Sequence, residues 1–195
     1  MKVKICGVTN SEDAMMCEAL GADAIGFVHL RGRSRSVELK DVREMCSAVG
    51  PLTLKVLVCA PKDVHEALRM LEASGADALQ LHSLEPGAVS EIRDSGVTVF
   101  RVIPPIPSEA LRYAESADAL VFEDGRPGTG CTYDYAKVPT SLCRRAIIAG
   151  GLNPENLELA KAVRPYGLDV SSGVESSPGR KDSFLVSSFI RRAKK

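Results

Sequence analysis

Apolar positions in this chain come in short bursts, separated by longer stretches with a helical beat. Eight bursts read as strands: Val3–Val8, Ala24–His29, Leu52–Cys59, Ala78–His82, Val97–Ile103, Ala119–Glu123, Ala146–Ala149 and Gly167–Val170. Short runs of this kind, bounded by turn residues, fit buried strands of a parallel sheet. Between them, helical spacing is clearest over Glu12–Leu20, Leu39–Val49, Asp63–Ser74 and Glu155–Val163. Shorter helical patterns cover Pro86–Ser95, Glu109–Ser116 and Tyr135–Cys143, the last interrupted by Pro139. A terminal helix is expected over Ser183–Lys195, with Phe184, Leu185, Phe189 and Ile190 on one face.

One punctuation mark recurs. Gly21-Ala22-Asp23-Ala24 returns as Gly75-Ala76-Asp77-Ala78 and as Ser116-Ala117-Asp118-Ala119, each between a helical segment and an apolar run. The first residue stops a helix, the Asp turns the chain, and a strand follows. Repeated helix-to-strand junctions are the signature of stacked βα units. Eight strands alternating with up to eight helices predict an α/β fold, a (β/α)8 barrel filling residues 1–195 as a single catalytic domain. It is compact beside the usual size of about 250 residues, so its loops must be short. An open doubly wound sheet is the competing architecture. It is disfavoured because only Gly7, with no Gly-x-Gly-x-x-Gly pattern, follows the first strand.

Composition narrows the field of partners. Lys and Arg total 25, as do Asp and Glu, so the formal charge is zero. That balance gives no support for a nucleic-acid or membrane surface. No apolar run approaches the roughly 18 residues that span a bilayer. Met1-Lys2-Val3-Lys4 leads straight into a strand, and the expected location is cytoplasmic. Six cysteines are scattered without a Cys-x-x-Cys pair. Cys17, Cys46 and Cys59 sit in apolar patterns and read as small core residues. Three histidines without ligand spacing argue against zinc.

In such a barrel the C-terminal ends of the strands share one face, where chemistry gathers. The groups expected there are Cys6, His29, Gln80, His82, Arg101, Glu123, Asp124, Gly150, Gly151 and the segment Asp169–Gly173. Gly150-Gly151 follows strand seven, and Ser171-Ser172-Gly173 follows strand eight. Glycines let backbone N–H groups approach an anion closely, and these two loops commonly hold a phosphate. The loop after strand two carries Arg31, Arg33 and Arg35, any of which is suited to a carboxylate. Cys6 opposite Glu123 or Asp124 would place a base and an acid across the barrel mouth, as a proton-shuttling isomerase requires. Each of these groups also has a plainer reading, as inert core or solvated loop.

Six motifs occur in order: Lys4-Ile5-Cys6-Gly7-Val8-Thr9-Asn10, Gly21–Phe27, Gln80-Leu81-His82, Pro127-Gly128-Thr129-Gly130, Gly150–Asn156 and Asp169–Glu175. Together they resemble phosphoribosylanthranilate isomerase of tryptophan biosynthesis, over the whole chain. The resemblance implies a (β/α)8 barrel that carries out an Amadori rearrangement. Its substrate would be N-(5-phosphoribosyl)anthranilate and its product 1-(2-carboxyphenylamino)-1-deoxyribulose 5-phosphate, with no metal and no cofactor. It implies Cys6 as general base at C2 of the sugar and a carboxylic acid at the end of strand six as general acid. It further implies Arg35 on the anthranilate carboxylate, His82 and Asp169 as substrate contacts, and Gly150, Gly151, Ser171, Ser172 and Gly173 on the phosphate. The sequence departs from the family in two places. Glu123 occupies the acidic position with Asp124 beside it, and Arg33 competes with Arg35 because the loop after strand two is unlike the family's. Two other readings keep the barrel: another sugar-phosphate isomerase or epimerase, and a phosphate-ligand-binding barrel without catalysis. Monomer and homodimer are both open.

Overall fold

A computed structural model describes residues 1–124 and 130–195. The Gly125–Gly128 loop and the first three residues of the Pro127–Gly130 motif lie outside the described residues. The order is β1 (Lys2–Cys6), α1 (Ser11–Ala19), β2 (Ala24–His29), α2 (Leu39–Ala48), β3 (Leu54–Cys59), α3 (Val64–Ser74) and β4 (Ala78–Leu81). It continues with α4 (Pro86–Asp94), β5 (Thr98–Ile103), α5 (Pro107–Tyr113), β6 (Ala119–Phe122), β7 (Ala146–Ile148), α6 (Leu157–Lys161) and β8 (Gly167–Val170). A small hairpin, β9 (Glu175–Ser177) and β10 (Arg180–Lys181), precedes the terminal helix α7 (Ser183–Lys194). All eight long strands run parallel, and β1 pairs with both β2 and β8, so the sheet closes into a barrel. The predicted (β/α)8 architecture is the one observed.

Side chains alternate across each strand, so every strand has an inward and an outward set. The outward set builds the larger core, where Ile5, Phe27, Leu57, Leu79, Phe122 and Ile148 are sealed under the helices. Burying each such side chain contributes about 1.5–3 kcal/mol. The inward set is thinner, with Ala24, Val56, Ala78, Ala119, Val121 and Ile147 around Phe100. Towards the C-terminal ends the inward set turns polar. Lys4, Gln80 and Asp169 are all buried there. Buried polar groups of this kind cost free energy unless partners meet them.

The recurrent Asp does more than turn the chain. Asp23, Asp77 and Asp118 accept hydrogen bonds from the backbone N–H groups of Val3, Lys55 and Val99, each at 2.9 Å. Each carboxylate therefore ties the start of its own strand to the strand before it. Helix starts follow the expected chemistry: Asn10 accepts from Asp13 N–H at 2.8 Å, and Asp63 from Glu66 N–H at 2.7 Å.

Three expectations need correction. Tyr135–Cys143 is not a helix but two short 3-10 turns, Tyr135–Lys137 and Thr140–Leu142, because Pro139 supplies no N–H between them. The helix expected over Glu155–Val163 shortens to Leu157–Lys161, since Asn153 and Asn156 fold the preceding residues into a hydrogen-bonded turn. On α7 the buried face is Val186, Phe189, Ile190 and Ala193, and Phe184 is 74% exposed. Among the described residues no helix is long and apolar enough to cross a membrane.

Candidate active site

A cavity of about 330 Å³ opens at the C-terminal ends of the strands. Strand parity decides which predicted groups reach it. Cys6 follows Lys4 on the inward face of β1, His82 follows Gln80 on that of β4, and Glu123 follows Val121 on that of β6. Asp169 is inward on β8. All of Cys6, Gln80, His82, Glu123 and Asp169 line the cavity. His29 and Arg101 fall on the outward parity and do not. His29 Nδ1 lies 2.8 Å from the Val37 carbonyl, and Arg101 donates to the carbonyl of Leu81 at 3.0 Å. Asp124, one residue past Glu123, is exposed and outside the lining.

The floor is an ion pair. Lys4 Nζ lies 2.9 Å from Asp169 Oδ2, with the two side chains 4% and 5% exposed. Burial opposes the Lys4 charge, but Asp169 and Cys6 beside it outweigh burial and hold its pKa above the ordinary lysine value. Cys6 sits just above this pair. Burial holds its thiol above the ordinary cysteine value, against the opposing pull of the Lys4 ammonium. Burial, reinforced by the charge of Asp169, raises Glu123 to about 7. A carboxyl group held there carries a proton near neutrality, as a general acid must. Burial, then the charges of Lys4, Arg101 and Arg33, lowers His82 to about 4, so its imidazole is neutral.

Arg33 and Arg35 form part of the wall. Arg35 is clamped through Nε to Glu175 Oε1 at 2.8 Å and through Nη2 to Glu175 Oε2 at 2.7 Å. Lys181 Nζ holds the same carboxylate at 2.7 Å and donates to the Ser171 carbonyl at 3.2 Å. Burial opposes the charge on Glu175, but the Arg35 and Lys181 hydrogen bonds prevail and lower its pKa.

The remaining wall comes from the turns after β7 and β8. Gly150, Gly151, Ser171 and Ser172 line the cavity. Gly150 and Gly151 both have left-handed φ, +92° and +68°, which an L side chain rarely adopts. Gly173 is outside the lining and has a different task. A Cβ there would stand 1.9 Å from the Leu152 carbonyl oxygen, so only glycine lets the two turns close on each other. Asn156 Nδ2 donates to the Gly151 carbonyl at 2.8 Å, and Tyr135 Oη to that of Gly150 at 2.6 Å, fixing the first turn from behind.

The family model for N-(5'-phosphoribosyl)anthranilate isomerase matches residues 3–192. The chain belongs to that family. It is an enzyme, an isomerase of tryptophan biosynthesis. The isomerase of Methanothrix thermoacetophila is 36% identical over 204 residues, covering 99% of this chain and 98% of its own. The crystal structure of the Thermus thermophilus enzyme superposes with a TM-score of 0.89 at 38% identity, covering 98% of each chain. A second family structure is a complex with reduced 1-(o-carboxyphenylamino)-1-deoxyribulose 5-phosphate. It superposes with a TM-score of 0.88 at 32% identity, covering 100% of this chain and 98% of its own.

Sequence reasoning missed Lys4, Glu175 and Lys181, and left Gln80 without a role. Lys4 and Gln80 had a usable signal, since each is a polar residue two places before an inward-facing candidate. Glu175 closed the Asp169–Glu175 motif but, like Lys181, lies beyond the last barrel strand, where no strand parity points a side chain at the site.

Proposed function

We propose that this isomerase converts N-(5-phosphoribosyl)anthranilate to 1-(2-carboxyphenylamino)-1-deoxyribulose 5-phosphate, with Glu123 as general acid and Cys6 as general base. One observation carries the reading: a thiol and a carboxyl group with a pKa raised to about 7 open on one cavity beside a glycine turn and a serine turn. Glu123 gives its proton to the ring oxygen, and the C–O bond to C1 breaks as the anthranilate nitrogen pushes its electron pair into a C=N bond. Cys6, as thiolate, takes the proton from C2, and the electrons of that C–H bond return to the nitrogen through C1. The enol formed at C2 tautomerises to the ketone, so the step is redox-neutral. Asp124, exposed and off the inward parity, has no part in this scheme.

Gly150, Gly151, Ser171 and Ser172 receive the phosphate, and Gly173 keeps their two turns together. Arg33 and Arg35 receive the anthranilate carboxylate. The Nη1 side of Arg35 remains available for it, since Glu175 engages only Nε and Nη2. Two acceptors that line the cavity, Gln80 Oε1 and Asp169 Oδ1, are buried without a hydrogen-bond partner among the described residues. Sugar hydroxyls and the anilino N–H are donors of the right kind for them. His82, neutral, serves as a further hydrogen-bonding contact. Every group in this assignment comes from one chain, so a homodimer would pair two complete sites.

The test is the decay of substrate fluorescence with wild type, Cys6→Ser, Glu123→Gln and Asp124→Asn. The first two substitutions are expected to lower turnover by about 10²–10⁴-fold, the range for loss of a general acid or base. Asp124→Asn should turn over almost normally. Near-normal turnover by Cys6→Ser would remove the thiol from the mechanism, and inactivity confined to Asp124→Asn would move the acid by one residue.

A further inference from the structure

The scheme above leaves the buried ammonium of Lys4 without a task. Lys4 projects into the barrel two residues before Cys6, and its ammonium is buried against Asp169. Asp169 uses one of its three N–H bonds. A Cβ on Gly26, across the β1–β2 pairing, would stand 2.8 Å from Lys4 Nζ and 3.0 Å from Cys6 Sγ. The ammonium and the sulfur therefore converge over the same bare α-carbon. A buried cation is costly unless paired, and Lys4 has two such neighbours: a carboxylate and an ionisable thiol.

The other charges around the sulfur come from different elements. Asp169 on β8 disfavours a thiolate, while Lys181 on β10 favours it. Arg35, from the loop after β2, also feels the charge of Cys6. Lys4 in turn acts on His82 and Glu123 across the cavity. Arg35 and Lys181 are already committed to Glu175. Lys4 is thus the cation placed beside the sulfur with a face still turned to it.

We propose that Lys4 is a positioning residue for the reaction: anchored by Asp169, its ammonium stabilises the Cys6 thiolate and sets the pH at which the sulfur can accept a proton. This rests on the reading of Cys6 as the base. A cation next to a thiol is a general means of making it reactive near neutrality.

The experiment follows the rate of alkylation of Cys6 by iodoacetamide from pH 6 to 11 in the full-length chain, read on the Cys6 peptide by mass spectrometry, with the rising limb placing any midpoint beyond that range. Lys4→Met is expected to move the midpoint up by about one pH unit or more, a tenfold or greater loss of thiolate at pH 7. A purely structural Lys4 would alter the melting temperature and leave this profile in place, and an unchanged midpoint would overturn the proposal. Lys4→Met strands Asp169 as a buried anion, so the comparison is repeated in an Asp169→Asn background. There the double variant should again titrate at least one unit above the single one, and coincident profiles would again be fatal. Turnover by Cys6→Ser judges the base assignment separately. An inactive Cys6→Ser beside an unmoved Lys4→Met profile defeats this inference alone, and an active Cys6→Ser defeats the assignment beneath it.

Discussion

Arg35 and Glu175 meet fork to fork across 140 residues of sequence, at 2.8 and 2.7 Å. The guanidinium belongs to the loop after β2 and the carboxylate to β9, just past the glycine–serine turn after β8. Lys181 closes the other side of the same carboxylate. This triad joins the wall proposed for the anthranilate ring to the wall proposed for the phosphate. A clamped guanidinium loses little freedom on meeting a ligand, which is how positioning lowers a barrier.

Glu175→Gln should therefore act on binding and on stability together. It leaves the buried Lys181 and the partly buried Arg35 as neighbouring cations, and breaking a buried pair from one side costs about 3 kcal/mol or more. Urea unfolding should show a loss of that order. In the folded fraction, KM for the phosphoribosyl substrate should rise by about tenfold with a smaller change in kcat, the pattern of lost ground-state binding. A variant with unchanged KM would mean that Arg35 does not meet the substrate.

Glu123 links stability to pH with a definite sign. Its pKa rises from 4.5 to about 7 on folding, so the folded form holds the proton more tightly. The group costs nothing below pH 4.5, where both states are protonated. Stability is lost progressively between about 4.5 and 7, and the penalty is constant above that. Glu123→Gln removes the penalty. Relative to wild type it should gain about 3 kcal/mol by pH 8 and little at pH 4, while turnover collapses. Denaturant melts at the two pH values check the stability half. Equal differences at both would place the carboxyl group's pKa near its ordinary value.

Gln80 offers a similar opposition of stability and function. Its Oε1 is buried with no hydrogen-bond partner among the described residues. Replacing an unsatisfied polar group by an apolar one of similar shape is neutral to stabilising. Gln80→Met should raise stability by up to about 1 kcal/mol and lower kcat/KM by about tenfold, read by thermal unfolding and initial rates. Unaltered kcat/KM would show that the substrate offers nothing to that oxygen.

Much of the site was already legible in the chain. The same period-two rule that predicts strands also sorts their ends. Counting by twos from Ala119 reaches Val121 and then Glu123, and leaves Asp124 outside. Counting from Ala78 reaches Gln80 and His82, and counting from Ala24 passes Val28 and excludes His29. Applied to Arg101, the count puts it among the outward residues. What the count cannot supply is the state of each group. Glu123 rises because it is buried near Asp169, a residue 46 positions away in sequence that comes close only when β6 and β8 pair with β7 between them.

The sequence alone pointed to the architecture, because periodicity, helix caps and the recurring Gly-Ala-Asp-Ala junction are local, and the strand count reaches eight without the glycine pattern of an open doubly wound sheet. It also determined that Cys6, Glu123 and the two glycine-bearing turns share the C-terminal end of that barrel. Tertiary structure alone decided the pairings: Lys4 with Asp169, Arg35 with Glu175, and Gly173 against the Leu152 carbonyl. Hydrogen bonds, burial and close approach depend on distances of a few ångströms between segments far apart in the chain. No local pattern records them until β8 is laid beside β1.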